Sequence, residues 1–289
     1  MMRTEQQMMD LILDIAKNDD RVRAVCMNGS RTNMNVKKDP FQDFDIVYIV
    51  TDIKSFTNTP YWVNIFGERI IMQTPEDMVL FPPELGGRYT YLMQFSDGNR
   101  IDLMLIPVEE QEEYCKEDSL TTILLDKDGS LPKLPSPTDV NYWVQCPTEE
   151  HYKDCCNEFW WVSTYIAKGL WRKEMLYAQA HFNNTREMLI QMLSWQVGVQ
   201  TDFSKSVGKN GKDLEYLLPK KVWEQLLATY NNASYDSAWQ ALFTMCDLFQ
   251  NTATNVASML SFQGYGESVI VLNYLKHIQT LPSDAKVIF

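Results

Sequence analysis

With 289 residues, 45% of them hydrophobic and 22% charged, the chain is long enough for two domains and has the balance of an ordinary globular protein, not a disordered or fibrous one. A formal charge of −12 makes nucleic acid a poor partner, because phosphate backbones want a basic footprint, and favours a polycationic small molecule. The six cysteines form no CxxC pair, and adjacent Cys155 and Cys156 suit neither a zinc site nor a disulfide framework, so reduced thiols in a cytosolic protein are expected.

The amino terminus carries Arg3, Glu5, Asp10 and Asp14, which is no signal peptide, and no run approaches the roughly 18 apolar residues of a membrane span. A soluble, cytoplasmic protein is expected. Thr4 and Gln7 have the spacing of a capping box, and Met8, Leu11, Ile12 and Ile15 then recur at helical spacing. A short apolar run, Val22 to Met27, ends at Gly29-Ser30-Arg31. A second run, Ile46 to Val50, follows Asp43-Phe44-Asp45.

Residues 51–60 read as loop or short helix and 68–73 as a strand. Two β-prone runs, 89–95 and 100–107, flank Ser96-Asp97-Gly98-Asn99, a hairpin signal. The pattern turns helical over 109–127, and the prolines at 132, 135 and 137 mark a linker. Beyond about residue 148 helical periodicity dominates, with helices expected over 152–172, 173–197, 213–230, 235–262 and part of 269–280. The fold class is therefore α+β: residues 1–140 form a mixed sheet flanked by helices, and residues 141–289 form an all-α helical domain.

Side chains alternate along a strand, so Asp43 and Asp45 point to one face. Two like charges so close repel unless a cation lies between them, and oxygen ligands favour Mg²⁺. Gly29 permits close backbone approach to a phosphate, whose oxygens backbone N–H groups and the Ser30 hydroxyl can hold. Asp102 sits among Ile101, Leu103, Leu105 and Ile106. Either it lies on the solvated face of an edge strand, or it is a third carboxylate that completes a metal site or takes a proton from an attacking hydroxyl. Taken together, these pieces describe phosphoryl or nucleotidyl transfer.

Gly-Ser, twelve intervening residues, Asp-x-Asp opening a strand, and an Asp on a later strand resemble the signature of the nucleotidyltransferase superfamily related to DNA polymerase β. The resemblance narrows at Phe41-Gln42-Asp43-Phe44-Asp45, Pro75-Glu76-Asp77-Met78, residues 80–86 (Leu-Phe-Pro-Pro-Glu-Leu-Gly), residues 124–128 (Leu-Leu-Asp-Lys-Asp) and Cys155-Cys156-Asn157-Glu158-Phe159-Trp160. These segments, spread over both halves, are similar to bacterial aminoglycoside 6-adenylyltransferases, the streptomycin-modifying enzymes.

The resemblance implies that ATP donates AMP to a hydroxyl of streptomycin and pyrophosphate leaves. Gly29 and Ser30 would grip the triphosphate, Asp43 and Asp45 would ligate Mg²⁺, and Asp102 would be third ligand or general base. Arg31 is either an added phosphate contact or a solvated loop arginine. The leaving group needs cations, and Lys168, Lys205, Lys209 and Lys212 are candidates. Lys168 ranks first, because related antibiotic nucleotidyltransferases use a helix lysine at a similar position.

A pocket for the antibiotic's guanidinium groups should pair carboxylates with aromatic walls. Asp154, Glu158 and Trp161 fall on one helix face, with Glu84 a further candidate; a solvated acidic stripe is the alternative. Trp160 and Trp195 are expected in the core. Two rival readings are an adenylyltransferase for another acceptor and a nucleotide-binding regulatory protein without catalysis. Intact carboxylates and an intact Gly29-Ser30 weigh against the second.

Overall fold

The computed structural model describes residues 2–289. The chain separates into two compact units, Met1–Asn141 and Tyr142–Phe289. The first is built on a six-stranded mixed sheet and the second is helical.

Helix α1 (Glu5–Asn18) opens with the capping box expected from the sequence: the Gln7 N–H donates to Thr4 Oγ1 (3.2 Å) and the Thr4 N–H to Gln7 Oε1 (2.8 Å). Its buried stripe of Met8, Ile12 and Ala16 packs on the sheet, and the Tyr48 hydroxyl donates to the Ile12 carbonyl (2.6 Å).

The strands are β1 (Val22–Met27), β2 (Phe44–Val50), β3 (Arg69–Gln73), β4 (Tyr89–Phe95), β5 (Arg100–Pro107) and β6 (Thr122–Asp126). They lie in the order β3-β4-β5-β2-β1-β6, and only β2 and β5 run parallel. A short helix α2 (Lys54–Thr57) follows β2 and helix α3 (Gln111–Glu117) follows β5.

Strand alternation sorts the sheet into two faces. Phe44, Ile46, Tyr48 and Val50 of β2 join Ile101, Leu103 and Leu105 of β5 in the large core under α1. Val47, Ile49 and Ile106 point the other way, into a smaller cluster with Tyr114 and Cys115 of α3. Asp45 and Asp102 belong to this second, thinner face, at the end where β2 begins.

Two local expectations change. Residues 109–127 are not one helix: Asp118 takes extended backbone and accepts from the Leu120 N–H (2.8 Å), ending α3 in a side-chain-closed turn. Thr122–Asp126 then pairs with β1 as β6, where β-branched residues fit. Residues 213–230 likewise divide into α6 (Leu214–Leu217) and α7 (Lys220–Leu227), because Pro219 has no N–H to continue the first helix.

The helical unit is carried by α4 (Glu149–Trp171), α5 (Met175–Gln200) and α8 (Tyr235–Leu260), closed by α9 (Ser268–Thr280). Phe159 of α4 stacks on Phe249 of α8 with ring centroids 3.7 Å apart, and Trp160 and Trp195 are buried as expected. Gly169 lets α4 approach α5: a Cβ there would come within 2.8 Å of the Tyr177 ring. All six cysteines are free, and among the described residues no helix is long and apolar enough to cross a membrane.

At the hairpin between β4 and β5, Asp97 accepts from Arg3 Nε (2.5 Å), the Arg3 N–H (3.2 Å) and Asn99 Nδ2 (3.1 Å), while Arg3 Nη1 donates to the Phe66 carbonyl (2.5 Å). The Arg3 guanidinium holds the Asp97 carboxyl far below the usual carboxylate range. A depressed carboxylate stabilises the fold above its unfolded pKa and loses that contribution as pH falls. Asp97→Asn should therefore cost about 1–2 kcal/mol at neutral pH. The deficit should shrink below roughly pH 4 in denaturant titrations against the parent protein.

Candidate active site

The site is assembled by three local devices. First, Asp43 and Asp45 flank Phe44, whose ring is fully buried in the large core. Because alternate residues of a strand face opposite ways, burying Phe44 turns both carboxylates to the thin face. Second, the parallel register of β2 and β5 sets Asp45 directly beside Asp102. β5 is an interior strand, between β4 and β2, so the edge-strand reading of Asp102 is excluded.

Third, the Gly29–Arg31 turn presses against the same carboxylates. Gly29 has φ +74°, and a Cβ on it would collide with Asp45 Oδ2. The Asn28 N–H donates to the Asp45 carbonyl (2.9 Å), and the Tyr114 hydroxyl to Asn28 Oδ1 (2.6 Å). Only glycine gives both the left-handed backbone and the close approach.

The electrostatics follow from this crowding. Burial, followed by the negative charges of Asp102 and Asp43, pushes the Asp45 carboxyl up to about 6. Burial also raises Asp43, opposed by the Arg100 charge and reinforced by Asp102. Like-charged carboxylates crowded together and partly buried are a setting that favours a bound cation.

Arg100, not singled out from the sequence, supplies the nearest positive charge. Its Nε donates to Asp102 Oδ1 (2.7 Å) and its Nη2 to Asp102 Oδ2 (2.8 Å), and its Nε lies 3.7 Å from Asp43 Oδ2. Arg100 and Asp102 stand two apart on one strand, so Arg-x-Asp in a β-prone run was the available signal.

Among the described residues no group of three or more His, Cys, Asp or Glu side chains is arranged to hold a metal ion. The Arg100 fork engages both Asp102 oxygens. Asp43 and Asp45 remain as carboxylate oxygens without such an engagement, a donor chemistry that suits a hard cation such as Mg²⁺. Asp102 keeps lone pairs beyond those used by Arg100.

Arg31 is not a solvated loop arginine. Its side chain is 8% exposed, its Nε donates to the Asp43 carbonyl (2.9 Å) and its Nη2 to the Gln42 carbonyl (2.7 Å). The guanidinium lies over the Phe44 ring at 3.7 Å. Its reading as a phosphate contact therefore has to yield two donors already used.

The remaining candidates divide between the units. Glu84, in the first, lies exposed in the irregular loop that precedes β4. In the helical unit, Lys168 is half-buried with its ammonium over Tyr165 (4.6 Å) and Tyr177 (5.7 Å). Lys205, Lys209 and Lys212 are exposed on the loop between α5 and α6. Asp154, Glu158 and Trp161 share an exposed stripe of α4, and Trp161 Nε1 donates to the Tyr165 hydroxyl (2.8 Å).

The family model described as "Streptomycin adenylyltransferase" matches residues 2–278. The chain is similar to an aminoglycoside 6-adenylyltransferase of Bacillus subtilis (strain 168), 47% identical over 264 residues, which cover 91% of this chain and 93% of that protein. One of Campylobacter jejuni is 46% identical over 263 residues, 91% of each. A crystal structure of an aminoglycoside 6-adenyltransferase from Bacillus subtilis shares 41% identity, covering 97% of this chain and 100% of that chain, with a TM-score of 0.48.

Proposed function

The chain belongs to the streptomycin adenylyltransferase family, and from that membership we propose that it transfers AMP from ATP to a hydroxyl of streptomycin, releasing pyrophosphate and conferring resistance in the cytoplasm. The observation that carries this reading is the contact between the Gly29 turn and Asp45, with Asp102 in register beside it. A glycine turn and a set of carboxylates meet at one point, which supports a reading of nucleotidyl transfer.

In this reading the Gly29 and Ser30 backbone, with the Ser30 hydroxyl, holds the triphosphate. Asp43 and Asp45 hold Mg²⁺, which when bound neutralises charge building on the phosphate oxygens. Asp102 takes the proton of the attacking hydroxyl. A carboxylate has about four lone-pair sites, so Asp102 can keep Arg100 and still receive a hydroxyl. Lys168 and the lysines at 205, 209 and 212 are proposed to meet the departing pyrophosphate, as cations do in phosphoryl transfer.

Glu84 in the first unit and, separately, Asp154, Glu158 and Trp161 in the helical unit are proposed as acceptor-binding groups. Carboxylates form paired hydrogen bonds with guanidinium groups, and an exposed indole offers a face for a cation. The net charge of −12 draws such a polycation in. Its reach is ionic-strength dependent, so the KM for streptomycin should rise with added salt more steeply than the KM for ATP.

The direct test incubates the protein with Mg-ATP and a panel of aminoglycosides and follows pyrophosphate. Release with streptomycin supports the narrow reading, and release with a different aminoglycoside alone moves the acceptor. No release with any acceptor would favour a nucleotide-binding regulatory protein.

A further inference from the structure

We propose that Arg31 and Gln42 form a reciprocal clasp that fixes the spacing between the Gly29–Ser30 turn and the Asp43/Asp45 pair. This makes Arg31 a positioning residue for nucleotide and metal, not a phosphate contact. The proposal rests on the adenylyl-transfer reading of this site.

The clasp works in both directions. From the turn, Arg31 donates to the carbonyls of Gln42 (2.7 Å) and Asp43 (2.9 Å), places its guanidinium over the Phe44 ring, and keeps Nη1 3.5 Å from Glu5 of α1. From the strand side, Gln42 is 9% exposed and places Nε2 3.4 Å from both the carbonyl and the hydroxyl oxygen of Ser30. Gln42 Oε1 is buried without a partner, a desolvation cost that the side chain bears in this position.

The intervening segment is tied mainly to other parts of the unit, Thr32 Oγ1 to the Leu120 carbonyl (2.6 Å) and Lys38 to Glu5 (3.2 Å). Met34 is 95% exposed and Phe41 89% exposed, so the excursion between turn and strand buries almost nothing at those positions. The contacts that join the turn directly to the strand lie at the base of the loop: Arg31, Gln42 and the Asn28 to Asp45 hydrogen bond. Displacing reacting groups by about 1 Å can cost on the order of a hundredfold in rate, so a clasp at this point has leverage.

Lysine separates the two roles. A lysine is an adequate point-charge contact for phosphate, but it cannot donate as a planar fork to two carbonyls while stacking on a ring. The experiment uses the full chain as parent, Arg31→Lys, Arg31→Met and Gln42→Met. Affinity for α,β-methylene-ATP with excess Mg²⁺ is measured by titration calorimetry, Mg²⁺ half-saturation by AMP transfer, and Tm without ligand.

Arg31→Lys and Arg31→Met are expected to lose affinity alike, by about tenfold or more, and Gln42→Met by about threefold, with Mg²⁺ half-saturation rising in parallel. Near-parent affinity in Arg31→Lys with loss in Arg31→Met would assign a phosphate contact and overturn the clasp. Parent-like affinity in both does the same. Should the Arg31 variants fail to fold, Gln42→Met decides, and parent affinity there overturns the proposal. A parent protein that neither binds the analogue nor transfers AMP overturns the underlying reading instead.

Discussion

Replacing Asp45 with Asn is expected to reduce AMP transfer by at least about a thousandfold, the scale of losing a group that positions transition-state charge. The Tm of the ligand-free protein should at the same time rise. Asp45 is crowded by Asp102 in register on the adjacent strand, by Asp43 two residues away, and by the Gly29 turn against its oxygen. Asn keeps the shape and removes one of three mutually repelling charges, so the fold gains while the chemistry fails. Function held against stability is the usual sign of an active-site carboxylate.

Asp43→Asn should lose transfer similarly but change Tm little, because Asp43 is more exposed and has Arg100 3.7 Å away. Pyrophosphate release and differential scanning fluorimetry read the two effects. Full activity in both variants would remove the metal assignment, and a fall in the Tm of Asp45→Asn would contradict the crowding.

The parts of this site that were legible in the sequence are those governed by local periodicity. Asp43-x-Asp45 shares a face because strand side chains alternate, and Phe44 between them had to face a core. The capping box of α1 and the Asp97-Gly98 turn are similarly short-range, and both appear where their residues place them.

What could not be read is register between distant strands. The alignment of Asp45 with Asp102 joins strands separated by α2, β3 and β4, and no local pattern distinguishes an interior β5 from an edge strand. The same limit hid β6, whose partner β1 lies about a hundred residues earlier in the chain. Arg31 was ambiguous for a related reason. A guanidinium beside a Gly-Ser turn suggests phosphate, and only the folded chain brings the carbonyls of Gln42 and Asp43 within its reach. Arg100-x-Asp102, by contrast, was readable as an i, i+2 pair on one strand face.

The two arginines divide the work of holding a strongly negative site without a fixed positive charge at its centre. Arg31 acts from beneath, through backbone carbonyls and the Phe44 ring, and leaves the carboxylate oxygens untouched. Arg100 acts directly on Asp102 and lies near Asp43. Removing the first should disturb where the groups sit; removing the second should disturb which of them are paired.

Asp102→Asn distinguishes a base from a metal ligand, and a base is the expected result. Loss of a general base costs about a hundred- to ten-thousandfold in turnover. If Asp102 serves the acceptor hydroxyl, kcat should fall by that order while the KM values for Mg-ATP and streptomycin stay within about threefold of the parent. If it is instead a required ligand, affinity for Mg²⁺ with α,β-methylene-ATP should fall together with kcat, and the proton-acceptor role fails. Arg100, through two hydrogen bonds of 2.7 and 2.8 Å, holds the Asp102 carboxylate in one plane beside Asp45. A carboxylate so fixed presents its remaining lone pairs without reorganising. Arg100→Lys completes the test: one donor replaces the fork, Asp102 loses its fixed plane, and kcat should drop by about tenfold with KM for ATP little changed. An Arg100→Lys variant whose loss lies wholly in the KM for ATP would show that Arg100 serves the nucleotide and not the base.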